Sequence, residues 1–452
     1  MVCFLVEGGI ILLSVLASLF ILRLKGDMSI ISSEDAILRG IVVAFFCQSC
    51  MYLLDLYDLK HSHSWGEIFF SLIFSVGVVC IGIGLVSYVV PEFGVEGRMY
   101  YLTIILTAVF LLFWRIAFDY YLTQLAPKER ILVLGTGDIA RMVGQEIRKR
   151  ERLGFKLAGY VSTDSNKDHV QAEIPGKILG NLSRLKEFVT EGGIRKIVVA
   201  IEERRGEYPV REMLMLRVGG CNVLEWPGFF EKLSGRIPID SLSPSFFIFN
   251  EGFRKGKIVL LLRRIGSTIV AVAALLVLSP VFLIVSLLIK LDSPGPILYS
   301  QDRVGQNGRI FKIYKFRSMR QDAESGGGAR WAAKDDPRIT RVGKVIRRAR
   351  IDEIPQLFNV LRGDLDLVGP RPERPEFVQN LERLIPYYSL RHTLKPGLTG
   401  WAQVMFTYCG TIEESKEKLQ YDLYYIKNMS IKLDLLIVFC TIKIVLLGRG
   451  AR

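Results

Sequence analysis

Four apolar stretches open the chain, at residues 9–22, 36–54, 68–90 and 100–122. All but the first approach the ~20 residues that carry a helix across a bilayer. No convincing small-residue cleavage site follows the first, which reads as an uncleaved span. Residues 1–125 are therefore expected to form a four-helix transmembrane bundle. Beyond them the pattern changes. Ile131-Leu132-Val133-Leu134 is an unbroken apolar run of the kind that forms a buried parallel strand. Gly135-Thr136-Gly137-Asp138 follows, then a helix over 141–152, with further strand signals at 156–161 and 196–201. Alternating strands and helices predict a Rossmann-like α/β domain over 128–235. A linker rich in Ser, Pro and Phe occupies 236–262, and a mainly helical region runs over 263–452. Its last apolar stretch, about 431–447, is interrupted by Lys432, Asp434 and Lys443, which favours a helix lying in the membrane interface over a further span.

The 25 uncharged residues 265–289 are long enough to span a bilayer, yet both flanks are basic. Arg263 and Arg264 precede the segment; Lys290, Arg303, Arg309 and Lys312 follow it. The positive-inside tendency places both ends in the cytoplasm. Ser279-Pro280 stands near the middle, where proline removes a backbone donor and bends a helix. A re-entrant helix that turns at Ser279-Pro280 satisfies both facts; a kinked full span is the alternative. Basic residues after the fourth stretch (Lys128, Arg130, Arg141, Arg148, Lys149) place that side, and with an even number of spans the N-terminus, in the cytoplasm. Arg23, Lys25 and Arg39 pull the other way.

Composition narrows the class. Half of the 452 residues are hydrophobic and 23% are charged, a mixture suited to a membrane protein with large aqueous parts. The net charge of +14 suits anionic lipid or a phosphorylated substrate; no nucleic-acid recognition module accompanies it. Seven scattered cysteines give no disulfide framework. Cys47 and Cys50 lie inside an apolar stretch, where packing explains them better than redox chemistry.

Candidate chemistry concentrates in 296–434. Asp352-Glu353 is an adjacent acidic pair behind Arg347, Arg348 and Arg350. On a helix, neighbours point ~100° apart, so one carboxylate can hold a metal while the other faces the reacting atom. Hard oxygen ligands beside a diphosphate suit Mg²⁺, and a carboxylate can attack phosphorus to give an acyl phosphate. Lys315, Arg317 and Arg371 are candidates to neutralise phosphoryl charge. The prolines of Pro370-Arg371-Pro372 would hold that guanidinium in place. A solvated run of charges is the plainer reading of such a pair taken alone.

These motifs, together with Gly400-Trp401-Ala402-Gln403-Val404 and Tyr421-Asp422-Leu423-Tyr424-Tyr425, resemble the bacterial sugar transferase family, the monotopic polyprenyl-phosphate hexose-1-phosphate transferases, over about 263–448. The resemblance implies Asp352 as nucleophile, Glu353 as the Mg²⁺ ligand, and Ser279-Pro280 as the break of a re-entrant helix. Lys315, Arg317, Arg371, Glu376 and Asp422 would contact substrate. It implies a UDP-sugar donor, undecaprenyl phosphate as acceptor, UMP as product, and a homodimer at the cytoplasmic face of a bacterial inner membrane among its lipids. Two positions depart from the family. Ser267 stands where an Asp usually follows the basic pair, which predicts a missing ion pair at the membrane entry. Residues 405–410 resemble the exopolysaccharide-type branch.

The four spans and the α/β unit resemble the N-terminal extension of large family members. The loop at Gly135 and Gly137 could seat a pyrophosphate at a helix N-terminus, with Asp164 spaced for a ribose contact, or be a tight strand-to-helix turn. An NAD-dependent sugar-nucleotide dehydratase or epimerase is the rival enzyme. It would need Tyr-x-x-x-Lys, and no tyrosine here has lysine four residues on. The second rival is a non-enzymatic scaffold of polysaccharide assembly.

Overall fold

The computed structural model describes residues 2–24, 33–57, 65–89, 97–162, 174–201, 209–242, 244–320, 336–406 and 411–447. Asp164 and residues 407–410 lie outside them. Two compact units divide the chain between Leu224 and Glu225.

The first unit begins with helices α1 (Val2–Leu24), α2 (Ser33–Leu53), α3 (Trp65–Val89) and α4 (Gly97–Tyr120). α1 packs on α2 and α4, and α3 packs on the same two. Ile11, Cys47, Met51, Leu72 and Leu111 face inward, while Phe20, Phe46, Phe70 and Phe113 stand exposed on the outside. Such an outward apolar face suits hydrocarbon rather than water. Among the described residues, three helical segments are long and apolar enough to cross a membrane: Cys3–Leu24, Tyr101–Leu125 and, in the second unit, Lys257–Asp292.

α1 begins at Val2 rather than near residue 9, and Glu7 explains why. Its fully buried carboxylate meets the Arg115 guanidinium of α4 at 2.6 and 3.0 Å, and Arg115 also donates to the Leu56 carbonyl at 2.5 Å. A lone buried carboxylate would be too costly to hold charged; a cation from a distant helix removes the objection.

A five-stranded sheet completes this unit, in the order β3 (Ile178–Asn181), β2 (Phe155–Ser162), β1 (Glu129–Leu134), β4 (Lys196–Val199), β5 (Asn222–Glu225). β1 pairs in parallel with β2 and β4, and β2 with β3. Ile131 through Leu134 are fully buried, as a central parallel strand requires. Helices α5 (Asp138–Lys149), α6 (Leu185–Glu191) and α7 (Val210–Val218) connect the strands. Gly135 has φ of 119°, and a Cβ there would lie 2.5 Å from the Ala200 carbonyl. Only glycine fits where β1 and the chain after β4 converge.

The second unit runs through α8 (Trp226–Ser234), α9 (Pro244–Phe249), α10 (Lys257–Asp292) and the antiparallel hairpin β6 (Leu298–Val304)–β7 (Ile310–Phe316). It continues with α11 (Arg341–Arg348), α12 (Gln356–Arg362), β8 (Asp366–Val368), α13 (Pro375–Leu384) and β9 (Gly397–Thr399), which pairs with β8. The last helices are α14 (Trp401–Met405), α15 (Ile412–Asn428) and α16 (Ile431–Leu446). Ile237 and Ile239 are buried in one core with Trp401, Leu419, Leu423 and Tyr425. The stretch read as a linker therefore packs into this unit at its start, because its isoleucines fill the core.

α10 is one 36-residue helix with Pro280 inside it. Proline at 280 leaves the Leu276 carbonyl without its usual donor, and the Ser279 hydroxyl donates to that carbonyl at 2.8 Å instead. At the helix start, Arg263 donates to Asp434 (2.6 Å), the Tyr425 hydroxyl (2.6 Å) and the Val368 carbonyl (2.8 Å), with Asp366 at 3.7 Å. The ion pair expected to be missing is thus present: Asp434, in the first turn of α16, supplies the carboxylate. Ser267 instead accepts a hydrogen bond from the Leu367 amide at 3.2 Å. Arg264 donates to the Val360 and Leu361 carbonyls of α12 at 2.5 and 2.9 Å. Farther along α10, the Phe282 ring lies 4.7 Å from Phe316 of β7 and 6.0 Å from Phe358 of α12. Leu276, Val277 and Leu283 are exposed. α16 buries Ile437, bonds Thr441 to Thr399 at 2.6 Å, and exposes Leu435, Leu436 and Phe439.

Replacing Arg115 by Leu strands the Glu7 carboxylate and should destabilise the first unit by about 3–5 kcal/mol. The double change Glu7→Met/Arg115→Met should recover most of the loss. Thermal unfolding in detergent measures both; a single variant as stable as wild type would mean the pair contributes nothing.

Candidate active site

Three segments far apart in sequence converge on the acidic pair. Asp352 and Glu353 sit on a single 3-10 turn, Ile351–Glu353, rather than on the regular helix expected from sequence. The tighter turn spaces successive side chains by about 120°. Arg350 just before it adopts a left-handed φ of 58°, uncommon outside glycine. Glu353 Oε1 accepts from Lys315 Nζ of β7 at 3.0 Å and from Arg371 Nη2 at 2.7 Å, and Arg350 stands 3.8 Å away. Two full cations on one carboxylate oxygen fix that side chain and leave local positive charge in excess.

The electrostatics separate the two acids. Burial raises the Asp352 carboxyl above its ordinary value and the Glu353 charge adds to this, while Lys315, Arg347 and Arg371 oppose the rise without cancelling it. Burial would raise Glu353 too, but Arg371 and Lys315 outweigh it and hold Glu353 well below the usual range. Burial lowers the Lys315 ammonium, against the pull of Glu353. The Glu353 carboxylate pushes the Arg371 guanidinium up, so it stays charged. The two adjacent carboxyls are thus shifted in opposite directions, a separation common at active sites.

The loop carrying Arg371 is fixed by close backbone contact. A Cβ at Gly400 would strike the Gly369 carbonyl, and one at Gly397 would strike the Gly369 nitrogen. The Gly369 amide donates to the Thr399 carbonyl at 2.8 Å, and the Gly397 amide to the Pro370 carbonyl at 2.9 Å. The glycines of the two motifs let the chains interlock.

The remaining sequence candidates lie elsewhere. Arg317 belongs to the end of α10: it is buried and donates to the Pro294, Ser293 and Ile289 carbonyls at 2.8, 2.7 and 3.4 Å. Its guanidinium is spent on carbonyls at and just past a helix C-terminus, which corrects its reading as a phosphoryl contact. Glu376, exposed in the first turn of α13, lies 3.6 Å from Arg374 and does not join the cluster. Asp422 is 1% exposed and paired with Arg391 at 2.9 Å, too enclosed to meet substrate. The sequence reading missed Arg391, Glu373 and Lys418; of these only Glu373, directly after Pro372, had a motif to mark it.

A divalent cation could be held here only in part by protein. Among the described residues no group of three or more His, Cys, Asp or Glu forms a metal cluster. Asp352 and Glu353 offer carboxylate oxygens, with one Glu353 oxygen already engaged by cations. That donor set fits Mg²⁺, which binds through one or two carboxylates and completes its shell with substrate phosphates and water.

In the α/β sheet, Gly135 is explained by the contact with Ala200, and Gly137 caps α5 in extended conformation. Asp138 occupies the first turn of α5, paired with Arg141 at 3.2 Å. A carboxylate at a helix N-terminus competes with a bound pyrophosphate.

Residues 258–448 match the bacterial sugar transferase family, and residues 52–224 match a CoA-binding domain family. A UDP-glucose:undecaprenyl-phosphate glucose-1-phosphate transferase of Escherichia coli is 33% identical over 324 residues, 69% of this chain and 67% of that protein. A UDP-N-acetylgalactosamine-undecaprenyl-phosphate N-acetylgalactosaminephosphotransferase of Aeromonas hydrophila is 48% identical over 222 residues, 49% of this chain; the match spans about half, 52%, of that relative. An exopolysaccharide production protein of Rhizobium leguminosarum is 45% identical over 188 residues, 40% of this chain and 94% of its own. These relatives give the dehydratase–epimerase reading no support. With the motifs of 258–448 in register and a relative matched across two thirds of its length, the chain belongs to the bacterial sugar transferase family.

Proposed function

We propose that this protein transfers hexose-1-phosphate from a UDP-sugar to undecaprenyl phosphate, releasing UMP, at the cytoplasmic face of a bacterial inner membrane. The observation that carries the reading is Asp352 next to a Glu353 whose Oε1 accepts from both Lys315 and Arg371. The names of the relatives supply the substrate classes.

In the first step the Asp352 carboxylate attacks the β-phosphorus. The bond from that phosphorus to the bridging oxygen breaks, its electron pair leaves with UMP, and an acyl phosphate carrying the sugar remains on Asp352. In the second, an oxygen of the polyprenyl phosphate attacks the same phosphorus and frees the carboxylate. Neither step needs a proton from the protein. Lys315 and Arg371 would neutralise charge on the equatorial oxygens, and holding both reactants beside Asp352 removes most of the entropic barrier. Mg²⁺, held by Glu353 and substrate phosphates, would supply further neutralisation of the diphosphate.

The lipid acceptor fits a re-entrant reading of α10. A straight 36-residue helix would run about 54 Å, well beyond a ~30 Å hydrocarbon layer. Contacts at its start (Arg264 to Val360) and after Pro280 (Phe282 to Phe358) both reach the short helix α12, and Arg317 holds its end. With basic residues at both flanks, these contacts support a turn at Ser279-Pro280 and an acceptor phosphate delivered at headgroup level.

Incubating the membrane-embedded protein with undecaprenyl phosphate, Mg²⁺ and either UDP-glucose or UDP-N-acetylgalactosamine should release UMP, and a phosphosugar adduct should be trapped on Asp352. Asp352→Asn should lose roughly a thousandfold or more of the rate and form no adduct; an unimpaired Asp352→Ala enzyme would end the proposal. Activity should fall as pH drops through the raised Asp352 pKa. Lys315→Met removes an opposing cation and should move that acid limb to higher pH; a limb that stays put or moves down contradicts the electrostatic assignment. Lys290→Cys should react with an impermeant thiol reagent from the cytoplasmic side, whereas labelling only from the periplasm requires a full span.

A further inference from the structure

Next to Arg371 lies a second cluster of charges, in which Arg391 and Lys418 carried no motif signal. Arg391 and Asp422 pair at 2.9 Å with side chains 3% and 2% exposed. Arg391 Nη1 donates to the Tyr388 hydroxyl at 2.5 Å, and Nη2 donates to the carbonyl of Arg371 itself at 2.9 Å. Beside it Glu373 takes Lys418 at 2.5 Å and stands 3.7 Å from Arg303.

The carbonyls of the loop 370–373 are all held from outside it. Pro370 O accepts from the Gly397 amide (2.9 Å), Arg371 O from Arg391 (2.9 Å), Pro372 O from Arg303 (3.2 Å) and Glu373 O from the Val304 amide (2.9 Å). Two prolines fix φ within the same loop and remove two of its four amide donors. A buried ion pair gives little net stability relative to an apolar pair of the same size, so stability alone is a weak reason for placing one here. What the pair does hold is the peptide from which the Arg371 side chain springs toward Glu353.

We infer that Arg391, oriented by Asp422 and Tyr388, is a positioning residue that aims the Arg371 guanidinium at the transferring phosphoryl group. This rests on the sugar-phosphate transfer proposed above. Asp422 then acts on the reaction through two intervening groups, Arg391 and the Arg371 peptide. Lysine at 391 could carry the charge but could not serve Asp422, Tyr388 and the Arg371 carbonyl together, because its single ammonium lacks the planar fork.

The test uses the full-length protein in lipid nanodiscs, with UMP release and hydrogen–deuterium exchange read in parallel. Arg391→Lys should lower kcat by about tenfold to a hundredfold with KM changed by no more than about twofold, the signature of a misplaced transition-state contact. Tyr388→Phe, which keeps the core volume, should give a smaller loss in the same direction. In an Arg371→Ala background, Arg391→Lys should have almost no further effect. Full multiplication of the two losses, or a loss confined to the yield of folded protein, overturns the inference. Independently of activity, Arg391→Lys should speed exchange at the amides of Arg371, Glu373 and Arg374 while leaving α15 protected; unchanged exchange in that loop also overturns it. An inactive wild type would instead sink the transfer reaction, leaving the exchange result to decide the positioning.

Discussion

One oxygen of Glu353 receives both Lys315 and Arg371, and the catalytic unit is organised around that double contact. Lys315 comes from a hairpin strand, Arg371 from a loop wedged between two glycines, and Glu353 from a 3-10 turn entered through a left-handed arginine. Each segment is separately stabilised, so their meeting is a constraint that tertiary packing satisfies. The same contact sets the electrical character of the site. Burial raises the Asp352 carboxyl, the Glu353 charge adds to the rise, and the surrounding cations limit it.

The membrane element is coupled to this centre by arginines at both of its ends. Arg263 and Arg264 fasten the start of α10 to α16, β8 and α12, and Arg317 caps its far end. All three spend their guanidinium donors on backbone carbonyls or buried partners, a use for which the planar fork of five donors is suited. β7 carries Lys315 two residues before Arg317, so the strand that supplies a charge to the site sits directly beside the residue that holds the helix. Packing of Phe282 on Phe316 reinforces the link. The position of the apolar helix and that of the acidic pair are therefore not independent.

The first unit shows the same economy of partners. Glu7 and Arg115 are each an anomaly in an apolar helix and together make a satisfied pair. In the sheet, Gly135 looks like part of a phosphate-binding fingerprint, yet the nearby Ala200 carbonyl requires a glycine whether or not a ligand is bound.

Periodicity and composition along the chain were enough to place the apolar helices, the central strand 131–134 and the switch to α/β alternation, because these depend on which neighbours in sequence share a face. The motif order was enough to mark Asp352, Glu353, Lys315 and Arg371. Partner choice was not legible. Asp434 answers Arg263 from 171 positions away, Arg115 answers Glu7 across 108, and nothing local distinguishes these charges from solvated ones. Arg317 and Asp422 carried the same motif signal as the residues of the cluster but were turned by packing toward a helix end and a buried arginine. Sequence determined which side chains were chemically capable; the fold alone decided which of them share a site, because burial and charge pairing are properties of distance in space.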